Sequence, residues 1–326
     1  MILSKMVGKN MQNIAKRYSS IFPINSSVFW KEILMSMDKI TEIRIRVGAP
    51  ALIYMNNREI SIDEEGQFIY VTEAGKIFSY KEIQKLVDFW CMDSRYAFQN
   101  EIKRGFLTIE GGHRIGICGE TVTNEDGMIQ SIKHISSLNI RVAHEIKGVA
   151  ENIIKYIYAG EQVMNTLIVS APGAGKTTLL RDIIRFISTG VGKQCGKSVG
   201  VVDERGEIAA CFQGIPQLDV GPRTDVLSNC PKKRGMRMLL RSMAPSVIAV
   251  DELGEIEEIE LIQQMTGNGC AVIATIHGDS IEELKNKKFL DEMWKQQIFE
   301  NIIYLFKEKK QYHMEITQGE KICYKC

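Results

Sequence analysis

No apolar run in this sequence approaches the roughly 18 residues that a membrane-spanning helix needs, and the N-terminus lacks the continuous apolar core of a secretory signal. Neither sign of charge is in excess. Lys and Arg total 41 against 40 for Asp and Glu, a net charge of +1, which does not predict a nucleic-acid partner but leaves a local basic face open. Internal repeats and low-complexity segments are absent. A disulfide framework is missing too: the eight cysteines are scattered, and Cys91, Cys118, Cys211 and Cys270 lie in apolar segments. Dispersed thiols suit a reducing cytoplasm. Cys323 and Cys326 are spaced as a pair, but without a second pair no zinc site is expected. These absences describe a cytoplasmic protein that reaches a membrane only through partners. Its 326 residues, 44% hydrophobic and 25% charged, suggest two globular domains more readily than one.

What the sequence does have is Asn165-Thr-Leu-Ile-Val-Ser-Ala-Pro-Gly-Ala-Gly-Lys-Thr-Thr-Leu-Leu180. The apolar run Leu167 to Val169 reads as a buried strand. A turn of small residues follows (Ser170, Ala171, Pro172, Gly173, Ala174, Gly175), and Lys176-Thr177-Thr178 opens a helix-period segment. Strand, glycine turn and helix start are together the setting of a phosphate-binding loop. Backbone N–H groups of the turn and of the helix N-terminus would face the β- and γ-phosphates of a nucleotide. Lys176 would reach the same phosphates, and the Thr177 hydroxyl would ligate Mg²⁺. Ser170 stands where the motif has its first glycine, while Gly173 and Gly175 keep the close backbone approach. Past this loop, strands and helices alternate as a parallel sheet requires, with strands at 198–202, 247–250, 271–276 and 302–306.

Three of these strands end in groups suited to hydrolysis. Ser246-Val-Ile-Ala-Val-Asp-Glu252 is an apolar strand closing on two acids. Asp251 would hold Mg²⁺ through its water shell, and Glu252 would orient and polarise the attacking water. Val199-Gly-Val-Val-Asp-Glu-Arg-Gly-Glu207 brings Asp203, Glu204 and Glu207 to the same edge, since ligands of open parallel sheets bind at the strands' carboxyl ends. Glu204 ranks first among them as a group near the γ-phosphate or its water, with Asp203 and Glu207 in supporting positions. A lone histidine is more often a hydrogen-bonded cap, but in Thr275-Ile-His-Gly278 the position at a strand's carboxyl end puts sensing of the γ-phosphate by His277 ahead of that role. Lys232-Lys-Arg-Gly-Met-Arg-Met-Leu-Leu-Arg241 is the most basic segment. It reads as a helix with Met236, Leu239 and Leu240 on its apolar face. Nucleic-acid contact, a solvated face and an arginine lent to a neighbouring subunit's site all stay open for it.

The N-terminal half has a different texture. Ile2, Leu3, Met6, Met11 and Ile14 recur at helical spacing among Lys5, Lys9, Lys16 and Arg17, an amphipathic helix for packing or subunit contact. From Glu42 the pattern alternates, so Ile43, Ile45 and Val47 should face a core with Arg44 and Arg46 on the opposite strand face. Those arginines are either solvated or within reach of a phosphate. Tyr80 to Cys91 has helix spacing, Asp93-Ser94 would cap a second short helix, and Gly105 to Glu120 reads as a hairpin turning at Gly111-Gly112. Glu145 to Tyr158 reads as a connecting helix. The division is therefore an α+β domain over residues 1–145 and an α/β domain over residues 146–326.

Several stretches together are more specific than the loop alone: Glu42 to Pro50, Gly111 to Gly116, the phosphate loop, Val202 to Glu207, Gly221 to Val226 and Arg241 to Glu252. Along nearly its whole length the chain resembles the stage III sporulation AA family of spore-forming bacteria. That family is similar to the traffic ATPases of type II and type IV secretion and of pilus motors. The resemblance implies an N-terminal α+β domain joined to a RecA-like P-loop ATPase domain, working as a hexameric ring on the cytoplasmic side of a membrane machine. It also implies Mg²⁺ and ATP, and membrane proteins of a sporulation channel as partners, with nucleic acid not expected. Residue by residue, Asp203 to Glu207 matches the acidic box of those motors and His277 their histidine box. Arg44, Arg46, Arg114 and Arg141 lie in segments resembling the arginine stretches that close over nucleotide. The chain departs from many secretion motors in having Asp251 where they have glycine, and in lacking their tetracysteine module. A nucleic-acid translocase on the same motor, and a nucleotide-dependent scaffold with little catalysis, are the competing functions.

Overall fold

The computed structural model describes residues 18–23, 28–70, 72–287, 290–308, 311–319 and 321–325. The basic amphipathic stretch expected from Ile2 to Arg17 lies outside them, as does Cys326. The chain divides into two compact units, Met1–Glu145 and Ile146–Cys326.

The first unit is an antiparallel sheet with short helices on one face. In chain order it runs α1 (Val28–Met35), β1 (Ile40–Arg46), β2 (Ala49–Met55), β3 (Arg58–Ile62), β4 (Phe68–Ile69), α2 (Tyr80–Trp90), α3 (Gln99–Lys103), β5 (Phe106–Thr108), β6 (Arg114–Thr123) and β7 (Ile129–Arg141). The strand order is β4-β3-β2-β1-β7-β6-β5. Ile43 and Ile45 on β1, Ile115 and Ile117 on β6, and Leu138 and Ile140 on β7 are buried with the apolar side of α2: Ile83, Leu86, Val87 and Trp90. Period-2 alternation in the strands and helical spacing in α2 thus meet in one core. Helix α2 starts where Ser79 and Glu82 close a capping box, which satisfies two otherwise orphaned backbone donors. The Gly111-Gly112 turn has positive φ at both residues and joins β5 to β6 in antiparallel register.

Local expectations fail at three places. Val47 is 40% exposed rather than in the core, because β1 ends at Arg46 after a register shift against β2. Asp93-Ser94 caps no helix. Met92 and Asp93 both have positive φ, and the next helix begins only at Gln99. The connecting helix at 145–158 is absent: residues 146–153 run through bends and turns to a short 3₁₀ segment at Ile154–Ile157. Gly148 has φ +85°, Ala150 N donates to Asp182 Oδ2 at 2.8 Å and Lys147 pairs with Asp219 at 2.6 Å. The backbone is therefore held by the second unit's own side chains and not by an i→i−4 ladder.

The second unit is an α/β sheet. Its main strands and helices are β8 (Thr166–Ser170), α4 (Lys176–Thr189), β9 (Val199–Asp203), β10 (Thr224–Ser228), α5 (Lys232–Ser242), β11 (Val247–Val250), α6 (Ile256–Gly267), β12 (Ala271–His277), α7 (Ile281–Lys285), α8 (Asp291–Lys295), β13 (Asn301–Glu308), β14 (Gln311–Gln318) and β15 (Lys321–Lys325). Their order is β10-β9-β11-β12-β8-β13-β14-β15. From β10 to β13 every neighbouring pair is parallel, and β13, β14 and β15 continue as an antiparallel meander. Strands β8, β9 and β11 are buried along their whole length, as their uninterrupted apolar runs require of a sheet covered on both faces. One layer packs Leu179, Leu180, Ile183, Ile184 and Ile187 of α4 against the sheet. The other packs Met236 and Leu239 of α5 with Ile259, Ile262 and Met265 of α6. This parallel order places the C-terminal ends of β8, β9, β11 and β12 along one edge.

Candidate active site

The turn between β8 and α4 is built by its glycines. Gly173 and Gly175 have φ of +74° and +97°, and a Cβ built at either meets no atom within 4 Å. Left-handed backbone, not crowding, therefore requires glycine here. Ser170 keeps a negative φ as the last residue of β8, so a side chain is tolerated in the motif's first glycine position. Its carbonyl accepts from Gly278 N at 3.2 Å and its hydroxyl donates to Ala171 O at 2.8 Å.

Lys176 is buried at the start of α4. Its Nζ lies 2.7 Å from His277 Nδ1 and 3.4 Å from Ser170 O. His277 is aligned with Ser170 in the parallel β8–β12 register, so strand pairing itself delivers the imidazole to the lysine. With Lys176 donating to Nδ1, the hydrogen-bond network assigns the ring proton to Nε2, which contacts Glu252 Oε1. The other carboxylate oxygen of Glu252 pairs with Arg205. Burial lowers the Lys176 pKa, and the Asp251, Glu252 and Glu207 carboxylates act in the opposite direction.

Next to the lysine, Thr177 Oγ1 donates to Asp251 Oδ2 at 2.8 Å, and Thr275 Oγ1 donates to Asp251 Oδ1. Thr275 also accepts from Glu252 N at 2.8 Å. This one buried hydroxyl on β12 fixes the backbone and the carboxylate that follow β11. Pro172, Gly173, Gly175, Lys176, Thr177 and Thr178 line a cavity of about 390 Å³ with Glu207, Asp251, Glu252 and His277. A helix N-terminus, a lysine and a hydroxyl–carboxylate pair beside a cavity of this kind fit a nucleotide's phosphates and a Mg²⁺ ion.

The acidic turn after β9 separates its three carboxylates. Asp203 is buried and accepts from the amides of Glu207 (2.8 Å), Ile208 (3.1 Å) and Ala209 (2.8 Å). Glu207 lines the loop cavity. Glu204 lines a neighbouring cavity of about 590 Å³, which shares Glu252 and His277 with the first. From α4, Arg181 donates to Glu207 O at 2.7 Å and to Ile208 O, so the turn is gripped from both sides.

The four candidate arginines of the first unit share one sheet face. Arg141 is registered opposite both Glu42 and Arg114, Arg44 lies opposite Asn139, and Arg46 opposite Ser137. They stand on the face away from the apolar core. Arg44 pairs with Glu42, and the Arg114 guanidinium lies 3.7 Å above the Phe106 ring.

The sequence model of the family described as "Sporulation stage III, protein AA" matches residues 16–321. The chain belongs to the stage III sporulation protein AA family. It is 38% identical to Stage III sporulation protein AA of Bacillus subtilis over 271 residues, 83% of this chain and 84% of that one. Among solved structures it is similar to the pilus retraction motor PilT, with a TM-score of 0.58 and 15% identity, covering 88% of this chain and 81% of that one. The ATPase DotB of Legionella pneumophila gives 0.56 and 16%, covering 89% and 79%. The fold is α/β: a RecA-like parallel-sheet domain preceded by a smaller α+β domain. Among the described residues, no helix is long and apolar enough to cross a membrane.

Four residues that organise this family member's site carry little sequence signal: Arg181, Arg205, Lys232 and Thr275. Arg205, Lys232 and Thr275 lie within the acidic, basic and strand-end stretches but have no distinguishing feature there, apart from the Thr275 hydroxyl as a polar group ending an apolar strand, and Arg181 lies in none of them.

Proposed function

We propose that this protein is a Mg²⁺-dependent ATPase of the secretion-motor type, which energises a channel between mother cell and forespore during sporulation. One observation carries the reading. Lys176, Thr177, Asp251, Glu252 and His277 come from separate segments and converge on a single glycine-built cavity.

In this reading the amides of residues 173–178 and Lys176 hold the β- and γ-phosphates. Thr177 and Asp251 hold Mg²⁺, which when bound offsets the negative charge of the phosphate oxygens. Glu252 takes the proton of the attacking water. His277 and Arg205 each contact one oxygen of its carboxylate, so each oxygen keeps a lone pair with which to accept the water. His277 bridges Lys176 and Glu252, so phosphate that draws Lys176 away would loosen the imidazole and, through it, the base. Glu207 at the loop cavity and Glu204 at its neighbour supply the acidic surroundings. Arg44, Arg46, Arg114 and Arg141 form the face that closes over nucleotide, within a subunit or between subunits. Family membership supports a homo-hexameric ring acting from the cytoplasmic side with membrane proteins of a sporulation channel.

Phosphate release by purified wild-type protein and by Lys176→Ala tests the chemistry. Wild type should turn over Mg-ATP, and K176A should lose at least about a hundredfold in kcat. K176A that retains substantial turnover in a clean preparation sinks the assignment. Native mass with and without a non-hydrolysable ATP analogue tests the ring. A hexamer supports it, and a monomer in both states refutes it.

A further inference from the structure

The basic start of α5 runs against helix electrostatics. Lys232, Lys233 and Arg234 occupy its first turn, with no acidic residue there, although the N-terminal end of a helix disfavours positive charge. Lys233 recovers this through an ion pair with Glu255 at 2.7 Å, near the surface. Lys232 is different. Its side chain is only 13% exposed, and its Nζ lies 3.0 Å from Glu258 Oε1, whose side chain is 3% exposed. The same ammonium donates to the backbone carbonyl of Glu252.

Glu252 needs such a partner. Its φ is +60°, a left-handed conformation that a residue with a long side chain rarely adopts unless its surroundings hold it there. Contacts on both sides of the turn do so. Glu252 N donates to Thr275 Oγ1 at 2.8 Å, and Leu253 N to Thr275 O at 2.8 Å. Gly254 N and Glu255 N donate to Glu258 Oε2 at 2.8 and 3.2 Å. Thr275 therefore holds the amides at 252 and 253, Glu258 holds those at 254 and 255, and Lys232 holds the Glu252 carbonyl. The two oxygens of Glu258 divide the work: one anchors the turn's amides and the other anchors Lys232. Burying this ion pair costs desolvation that its mutual attraction only partly returns, so its net value lies in the geometry it fixes.

We propose that Lys232 is a positioning residue. Clamped by Glu258 onto the Glu252 carbonyl, it holds Glu252 left-handed and so directs that carboxylate towards His277 and the loop cavity. The catalytic part rests on the proposed role of Glu252 as base; the clamp itself does not. Lys232 lines the neighbouring cavity together with Glu252 and His277 and is not among the residues lining the loop cavity. It should accordingly leave nucleotide binding alone.

The test uses full-length wild type, Lys232→Met, and the double variant K232M/E258Q. In the double variant the side-chain carbonyl introduced by E258Q can still accept from the turn amides, and no buried charge is left unpaired. Three readouts are taken: steady-state ATP turnover, the affinity for fluorescently labelled Mg-ADP, and nucleotide-free hydrogen exchange at amides 252–255. Both variants should lose about tenfold or more in kcat with the Mg-ADP Kd within about twofold of wild type. Exchange at these amides should accelerate about tenfold. If wild type hydrolyses ATP and the variants keep kcat within about threefold, the proposal is overturned. A parallel loss of kcat and nucleotide affinity also overturns it, because it would show a general structural role. A wild type without turnover removes the ATPase reading alone, and the exchange rates still decide the clamp: acceleration supports it, and unchanged exchange refutes it.

Discussion

Replacing Asp203 by alanine should damage the protein more than any change at the exposed acids beside it. The carboxylate is buried and accepts three backbone N–H groups within one turn. Glu207 is exposed, so its freed amide can be assigned to water. Ile208 and Ala209 are fully buried, and their amides would be left without an acceptor. Each such loss costs about 1–3 kcal/mol, which makes about 2–6 kcal/mol for D203A. Asp203→Asn separates geometry from charge. Its carbonyl can keep the two bonds made by Oδ1, but its NH₂ then faces the Ala209 amide, donor against donor, at a cost of about 1–3 kcal/mol. Urea denaturation followed by circular dichroism would measure both. Hydrogen exchange at residues 207–209 would report whether the turn opens locally. Because this turn also presents Glu204, Arg205 and Glu207, ATP turnover should fall in parallel. Refutation would be D203A within about 0.5 kcal/mol of wild type, or D203N more damaging than D203A.

Thr275→Val keeps shape but removes the hydroxyl that serves both Asp251 and Glu252 N. It should cost about 1–3 kcal/mol and lower kcat, and a variant with wild-type unfolding and turnover would contradict the proposed network. Burial pushes the thiols of Cys91, Cys211 and Cys270 up to about 11, so at pH 8 only about one in a thousand of each is thiolate. Mass spectrometry after brief iodoacetamide treatment should find the exposed Cys118 and Cys195 alkylated and these three spared. The sign for stability follows, since the unfolded chain gives up these protons near pH 8.5 and the folded chain only near 11. Their contribution is complete below pH 8 and is lost as pH rises between those values. A melting temperature that does not fall between pH 8 and 11 would contradict it.

Much of this molecule was legible along the chain because its cues are local. The uninterrupted apolar runs before Ser170, Asp203 and Asp251 belong to strands buried on both faces. The two glycines before Lys176 mark a turn that must go left-handed. Alternation through Arg44 and Arg46 matches a sheet with a single buried face. Local cues also misled where tertiary contacts set the backbone. Residues 145–158 have helical spacing, yet Gly148 and the hydrogen bond from Ala150 to Asp182 take the chain elsewhere.

By itself, then, the sequence determined a phosphate loop, the acidic strand ends that accompany it, and membership of a sporulation family. Only the tertiary structure decided which acids share a cavity, because strand order sets that and order is not written in any one strand. Pairing β8 with β12 puts His277 beside Lys176. Asp203, within an acidic run, turns inward to hold its own loop, while Glu207 faces the phosphate loop. Lys232, one basic residue among several, lies half-buried beneath the turn that carries Glu252. A side chain's chemistry is fixed by its type, but its role here depends on what lies within about 3 Å of it, and those neighbours are brought in from distant parts of the chain.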